Sequence, residues 1–180
     1  MKKILIALIV SMLMSVTASA GMVEVKAAYV AEDYTLCSSE AAKVIADSKA
    51  VVNDKASAQL YIGYCYYRQK DFAKALPEFQ KVISDYPEVV KQCAVAQRRI
   101  GYCYEKLGKV VEAQSAFVQV CKIQGASLSP VTSAFSKIDK VALGKVEYLK
   151  LIDTMLLVIP ATAANAEFLG VLKSEQEKLK

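Results

Sequence analysis

The chain has no histidine and no tryptophan among its 180 residues, and only 7 glycines and 4 prolines. Without histidine, Ser-His-Asp and Cys-His catalysis are excluded, and so are zinc sites that use an imidazole. Proton transfer would fall to a tuned carboxylate, lysine or tyrosine. The scarcity of glycine and proline excludes collagen and linker compositions, and 54% hydrophobic residues exclude a disordered chain. There is no Gly-rich phosphate loop and no Cys-x-x-Cys redox pair. Asp71, Glu78, Glu105 and Glu112 read as ordinary helix-surface or turn acids. Ser136 and Lys137 are adjacent, so helical spacing does not face them as a dyad. These absences point away from an enzyme, a cofactor or a metal site.

The first twenty residues have the layout of an export leader. Lys2 and Lys3 precede an apolar run from Ile4 to Val16, and Ala18 and Ala20 occupy the small-residue positions of a cleavage site. The run is short for a bilayer span. A mature chain from Gly21 keeps 21 basic residues against 18 acidic ones once Lys2 and Lys3 are gone, a net charge of +3 rather than +5. That balance does not argue for nucleic acid. The leader layout predicts a periplasmic or secreted protein with no membrane span after cleavage.

An internal repeat dominates the middle of the chain. Ile62-Gly63-Tyr64-Cys65-Tyr66 recurs as Ile100-Gly101-Tyr102-Cys103-Tyr104, an offset of 38. Ala58 and Ala96, Gln59 and Gln97, Ala75 and Ala113, Phe79 and Phe117, and Val82 and Val120 repeat at the same offset. Ala58, Ile62, Cys65 and Tyr66 share one helical face, and Ala75, Phe79 and Val82 share another. Each unit therefore reads as two helices. Tyr86-Pro87 closes the first unit, and Gly108 ends a helix in the second. The glycines and alanines let neighbouring elements approach closely.

The pattern resembles the tetratricopeptide repeat. Gly63, Tyr66, Ala75, Phe79 and Pro87 match that family's positions in the first unit, and Gly101, Tyr104, Ala113 and Phe117 match in the second. Gln59 and Gln97 stand where an aromatic residue often opens the first helix, and the second unit lacks the closing proline near Gly125. The spacing of 38 exceeds the usual ~34. It is similar to that of exported bacterial members of the family, those of outer-membrane assembly and of the Tol-Pal system. The resemblance implies an all-α array of antiparallel helix pairs over 56–125.

Two repeats bury little surface alone, so flanking helices are expected to cap them. A degenerate repeat over 21–55 has Val23 to Tyr34 as its first helix, with Ser38 and Ser39 as cap candidates for its second. The C-terminal helices occupy 126–180. One starts at Ser129-Pro130 and carries Val131, Ala134, Phe135, Ile138 and Val141. A second runs from about Val146 to Ile159, after a break at Gly144. The last, from about Ala163 to Leu179, is apolar at Phe168, Val171 and Leu172. Leu149 to Ile159 is apolar nearly all round, which reads as a buried helix or as a self-association surface.

Five cysteines, Cys37, Cys65, Cys93, Cys103 and Cys121, are an odd number for an exported chain. Disulfides Cys93–Cys121 and Cys37–Cys65 are candidates, with Cys103 left over. The competing reading makes Cys65 and Cys103 small buried apolar residues.

In the family that the repeat resembles, first helices line a groove that binds a peptide. Here the corresponding positions are Leu60, Tyr61, Tyr64, Tyr67 and Arg68, then Arg98, Arg99, Tyr102, Glu105 and Lys106. Tyrosine and arginine are enriched at binding hot spots, and arginine grips a carboxylate with two prongs. A peptide or envelope protein bearing a carboxylate is the expected partner. The alternatives are a self-associating structural subunit, hence a homo-oligomer, and a non-catalytic binder of cell-wall peptides. In a competing arrangement Tyr61, Tyr64 and Tyr102 pack against a flanking helix.

Overall fold

The computed structural model describes residues 17–180, with side chains from Gly21 onward. The leader assigned to 1–20 therefore lies outside the described residues, save for the backbone of 17–20. The described chain is all-α and contains no strand. It divides into two compact units, one reaching Tyr86 and one starting at Pro87.

The first unit contains α1 (Thr17–Val30), α2 (Tyr34–Ala46), α3 (Val52–Arg68) and α4 (Phe72–Asp85). Each helix packs antiparallel on the next, and α1 also touches α3. The turn between α1 and α2 repeats the turn between α3 and α4. Glu32 and Lys70 take left-handed φ values of 61° and 62°. The next backbone amides, of Asp33 and Asp71, donate to the carbonyls of Ala28 and Tyr66, both at 3.0 Å. The Asp33 and Asp71 carboxylates then cap α2 and α4, accepting from the amides of Leu36 at 2.9 Å and Lys74 at 3.1 Å.

That turn corrects two expectations. The first helix ends at Val30 rather than near Tyr34, and the second is capped by Asp33 rather than by Ser38 or Ser39. Ser38 lies inside α2, where its hydroxyl donates back to the Tyr34 carbonyl. Met22, Val25 and Ala28 on α1 bury against Cys37, Ala41 and Val44 on α2, the three-to-four spacing of facing helix stripes.

Within the α3–α4 pair, Gly63 makes room for Phe79. A Cβ on Gly63 would lie 2.6 Å from the Phe79 ring, so no larger residue fits without movement. Gln59 is buried, and its amide donates at 2.6 Å to the Glu78 carboxylate on α4. A polar clasp thus holds the pair together where the resemblance would place an aromatic contact.

The second unit contains α5 (Val90–Lys106), α6 (Val110–Lys122), α7 (Leu128–Phe135), α8 (Lys140–Leu143), α9 (Lys145–Val158), a 3-10 turn (Ala163–Asn165) and α10 (Ala166–Leu179). Its first pair repeats the design of α3 and α4. A Cβ on Gly101 would lie 2.5 Å from the Phe117 ring. The left-handed residue of the turn is Gly108, and the Lys109 amide donates to the Tyr104 carbonyl at 2.9 Å.

The C-terminal helices differ from expectation at their ends. The N-cap of α7 is Ser127 rather than Ser129, and Pro130 sits buried in the first turn. The stripe through Val131 and Ala134 does not continue as one helix. Ile138 is buried in the turn after α7, whereas Val141 belongs to α8 and is 91% exposed. The earlier helix ends at Phe135, and Asp139 caps α8 by accepting from the amides of Val141 and Ala142. Gly144, at φ 80°, separates α8 from α9.

On α9 the buried face is Tyr148, Leu151, Ile152 and Met155, while Leu157 is exposed. The helix is one-sided although its sequence is apolar nearly all round. On α10 Leu172 is fully buried and Val171 points outward. Among the described residues no helix is long and apolar enough to cross a membrane.

A candidate protein-binding face

The half-buried tyrosines of the first unit form one cluster. The Tyr29 ring on α1 meets Tyr61 on α3 edge-on, with centroids 5.3 Å apart, and Tyr64 at 6.1 Å. Tyr34 adds a contact with Tyr29 at 6.1 Å. Tyr61 and Tyr64 stand at right angles 5.8 Å apart, and Tyr64 leans on Phe79 beneath. Helical phase explains the grouping, because Tyr61 and Tyr64 are three residues apart on α3. Burial pushes the Tyr61 phenol upward, with Tyr64 adding to the effect. Its hydroxyl therefore stays protonated and able to donate.

Arg68 closes one end of this cluster. Its Nη2 donates to the Glu32 carboxylate at 3.0 Å and its Nε to the Tyr34 hydroxyl at 3.3 Å. Those partners, Tyr34 first, raise an already high guanidinium pKa. The Tyr67 ring packs on Phe72 at 5.1 Å. Leu60, by contrast, is buried and takes no part in an exposed face. Tyr61 and Tyr64 do meet a flanking helix, α1, yet they remain half-exposed beside it.

In the second unit the expected strip is drawn toward α7. The Tyr102 hydroxyl shares a hydrogen bond of 2.7 Å with Ser133, and its ring lies 5.4 Å from Phe117. The Arg99 guanidinium and the Lys137 ammonium lie 5.9 and 5.7 Å from the Tyr102 centroid. Glu105 pairs with Lys137 at 3.4 Å. Arg98 and Arg99 are half-buried, and Lys106 is exposed at the end of α5.

The repeat-defining residues sit at helix contacts. Gly63, Ala75, Phe79, Gly101, Ala113 and Phe117 are buried, and Tyr66 and Tyr104 are half-buried. The exposed Pro87 offers its carbonyl to the Cys93 thiol at 3.9 Å. All five cysteines are free, buried thiols. Cys121 donates to the Val131 carbonyl at 3.9 Å, so Cys93 and Cys121 engage different partners. Cys37 and Cys65 lie in one buried core cluster, on neighbouring helices. Among the described residues no three His, Cys, Asp or Glu side chains gather as a metal site.

A family model of the tetratricopeptide repeat matches residues 57–88, which cover most of α3 and all of α4. Residues 57–88 are similar to a tetratricopeptide repeat. Comparison with curated proteins and with solved structures finds no match. The family model covers one pair, and turn geometry extends the repeat to its neighbours, since the left-handed residues 32, 70 and 108 keep the same interval of 38.

Sequence reasoning missed Tyr29 and Tyr34 as members of the tyrosine face. The signal lay in the repeat itself. Carried one interval earlier, the offset of 38 sets Tyr29 against Tyr67, Asp33 against Asp71 and Tyr34 against Phe72.

Proposed function

We propose that this helical-repeat scaffold is an exported interaction module that binds a peptide or another envelope protein on the tyrosine face of α1 and α3. In this reading residues 1–20 are a removable leader. Residues 21–55 form a first, divergent repeat, 56–125 two further repeats, and 126–180 the closing helices. The observation that carries the reading is the cluster of Tyr29, Tyr34, Tyr61 and Tyr64, four half-exposed rings within about one ring contact of each other. Rings already in mutual contact lose little freedom when a partner covers them, and each keeps a hydroxyl for hydrogen bonding.

Arg68 supplies the charge at the edge of the face. It spends one donor on Glu32 and one on Tyr34, and a guanidinium carries five. A carboxylate on the partner can use the others, or displace Glu32. In the second unit, Arg98, Arg99, Tyr102 and Lys106 are proposed as secondary contacts.

Capture from an envelope extract followed by titration calorimetry with the purified partner tests this. The paired variant Tyr61→Ala, Arg68→Glu should remain helical and bind at least ~10-fold more weakly, the effect of losing a modest hot spot. Equal affinity for the variant would remove the tyrosine face from the interaction.

A further inference from the structure

We propose that the tyrosine face of α1 and α3 takes a proline-rich segment of its partner in the polyproline II conformation, laid across Tyr34, Tyr29 and Tyr61. The inference rests on the binding role proposed for that face and gives it a ligand chemistry.

The face is rich in hydrogen-bond donors and poor in acceptors. The Tyr34 hydroxyl accepts from Arg68 Nε at 3.3 Å, which leaves its own proton to give. Tyr61 brings a second hydroxyl, kept protonated by burial. Arg68 commits one N–H to Tyr34 and one to Glu32, and a guanidinium has three more. The acceptor at this edge, the Glu32 carboxylate, is itself engaged by Arg68 at 3.0 Å. An ordinary extended peptide brings a backbone donor for every acceptor, so its N–H groups go unanswered here. A run of prolines brings carbonyls and no N–H at all.

Charge and relief favour the same ligand. Arg68 and Glu32 cancel at the Tyr34 end, so the rings there meet no excess of either sign. A carboxylate beyond the prolines would reach Arg68 as an addition to the ring contact rather than as its source. Tyr29 meets Tyr61 edge-on, at 78° and 5.3 Å, and meets Tyr34 at a tilt of 59° and 6.1 Å. Rings set across one another present ridges with furrows between them, a relief into which pyrrolidine rings pack. A polyproline II helix advances about 9 Å in each turn of three residues. The steps of 6.1 and 5.3 Å from Tyr34 through Tyr29 to Tyr61 therefore meet a little over one turn. Such a helix is ordered before it binds, as the mutually packed rings are, so little freedom is lost on either side.

Titration calorimetry of the full chain with acetylated, amidated decaproline tests this. Binding is expected with a Kd below about 1 mM. Because the probe is uncharged, that value should change less than ~2-fold between about 0.05 and 0.5 M salt. Tyr61→Phe keeps the ring and should weaken binding about 3–10-fold, the worth of one neutral hydrogen bond. Tyr29→Ala, with an unchanged helical spectrum, should weaken it at least ~10-fold. A glycine-serine decamer, which carries N–H groups and no rings, should not bind. No binding of decaproline at about 5 mM, or equal binding of the glycine-serine peptide, would overturn the proline chemistry. Unchanged affinity in both variants would overturn the placement on these rings. The outcome for the envelope partner is separate. A captured partner weakened by Tyr61→Ala, Arg68→Glu beside an inert decaproline retires the proline inference alone. A partner indifferent to that pair, beside decaproline lost in Tyr29→Ala, retires the envelope reading and leaves the polyproline site standing.

Discussion

Gly63 and Phe79 show how a single atom sets the distance between two helices. The Phe79 ring lies where a Gly63 side chain would be, and Phe117 lies against Gly101 in the same way one repeat later. The aromatic ring, rather than the backbone of a neighbouring helix, fills the space. Gly63→Ala and Gly101→Ala must push a fully buried ring aside, at a cost of about 1–3 kcal/mol each. Gly170 on α10 has nothing within 4 Å of its missing Cβ. Gly170→Ala should therefore be stabilising by up to ~1 kcal/mol through helix propensity alone. Urea unfolding of the three variants measures both signs, and an unchanged midpoint for Gly63→Ala would show that the ring can move freely. The pairing of Gly63 with Phe79 was legible in the sequence as two co-repeating positions. The contact between them was not, because periodicity marks which residues are inside without saying which inside residues touch. Gln59 was harder still. Its burial depends on the Glu78 carboxylate nineteen residues on, and the repeat position of Glu78 in the second unit is Ala116.

The helix pairs owe their regularity to the turn as much as to their apolar stripes. A left-handed residue, a backbone bond back across the helix end and an N-cap follow one another at the end of α1 and again at the end of α3, and the first two recur at the end of α5. Only α5 has glycine at the left-handed position. At Lys70 the side chain is exposed and φ is 62°, a conformation that costs a non-glycine residue about 1 kcal/mol or slightly more. Lys70→Gly should raise stability by about 0.5–1 kcal/mol, and Gly108→Ala should lower it by a similar amount. Thermal melts of the two variants should shift in opposite directions. A loss of stability in Lys70→Gly would mean that the turn is held by the lysine side chain and not by its backbone shape. Glu32 is a poorer place for this change, since it also holds Arg68. Element boundaries were the least legible feature. The α7 stripe runs on in sequence through Ile138 to Val141, but α7 stops at Phe135 and Asp139 caps α8 instead. An aspartate that can cap the following turn looks, in a hydrophobic pattern, like any other exposed position.

Acidity and alkalinity act on the whole chain through groups of opposite kind. With no histidine, the chain lacks the one side chain whose ordinary pKa falls between pH 5 and 8. Hydrogen bonds to Lys74, Lys150 and Lys140 hold the carboxyls of Asp71, Glu147 and Glu175 below their ordinary values of 3.8, 4.5 and 4.5. Groups depressed in this way stabilise the fold above the unfolded value, and that contribution disappears as pH falls through the folded one. Burial pushes the thiols of Cys103 and Cys121 from 9.0 to about 12. A raised thiol stabilises the folded state below the unfolded value, and its contribution is lost as pH rises from about 9 toward 12. The reduced chain should therefore show a flat melting temperature from about pH 5 to 8.5, with one limb falling below ~4.5 and another above ~9. Cys121→Ala separates the two causes. It removes one buried ionisable thiol at the cost of a small cavity, so its plateau is lower but its alkaline limb is shallower. Glu175→Gln makes the acid limb shallower, and because Glu175 also raises the Lys140 ammonium it trims the far alkaline end as well. A scan of melting temperature against pH for the three chains distinguishes these effects by shape rather than by height. An alkaline limb equally steep in Cys121→Ala would place its origin in tyrosine or lysine ionisation rather than in the buried thiols.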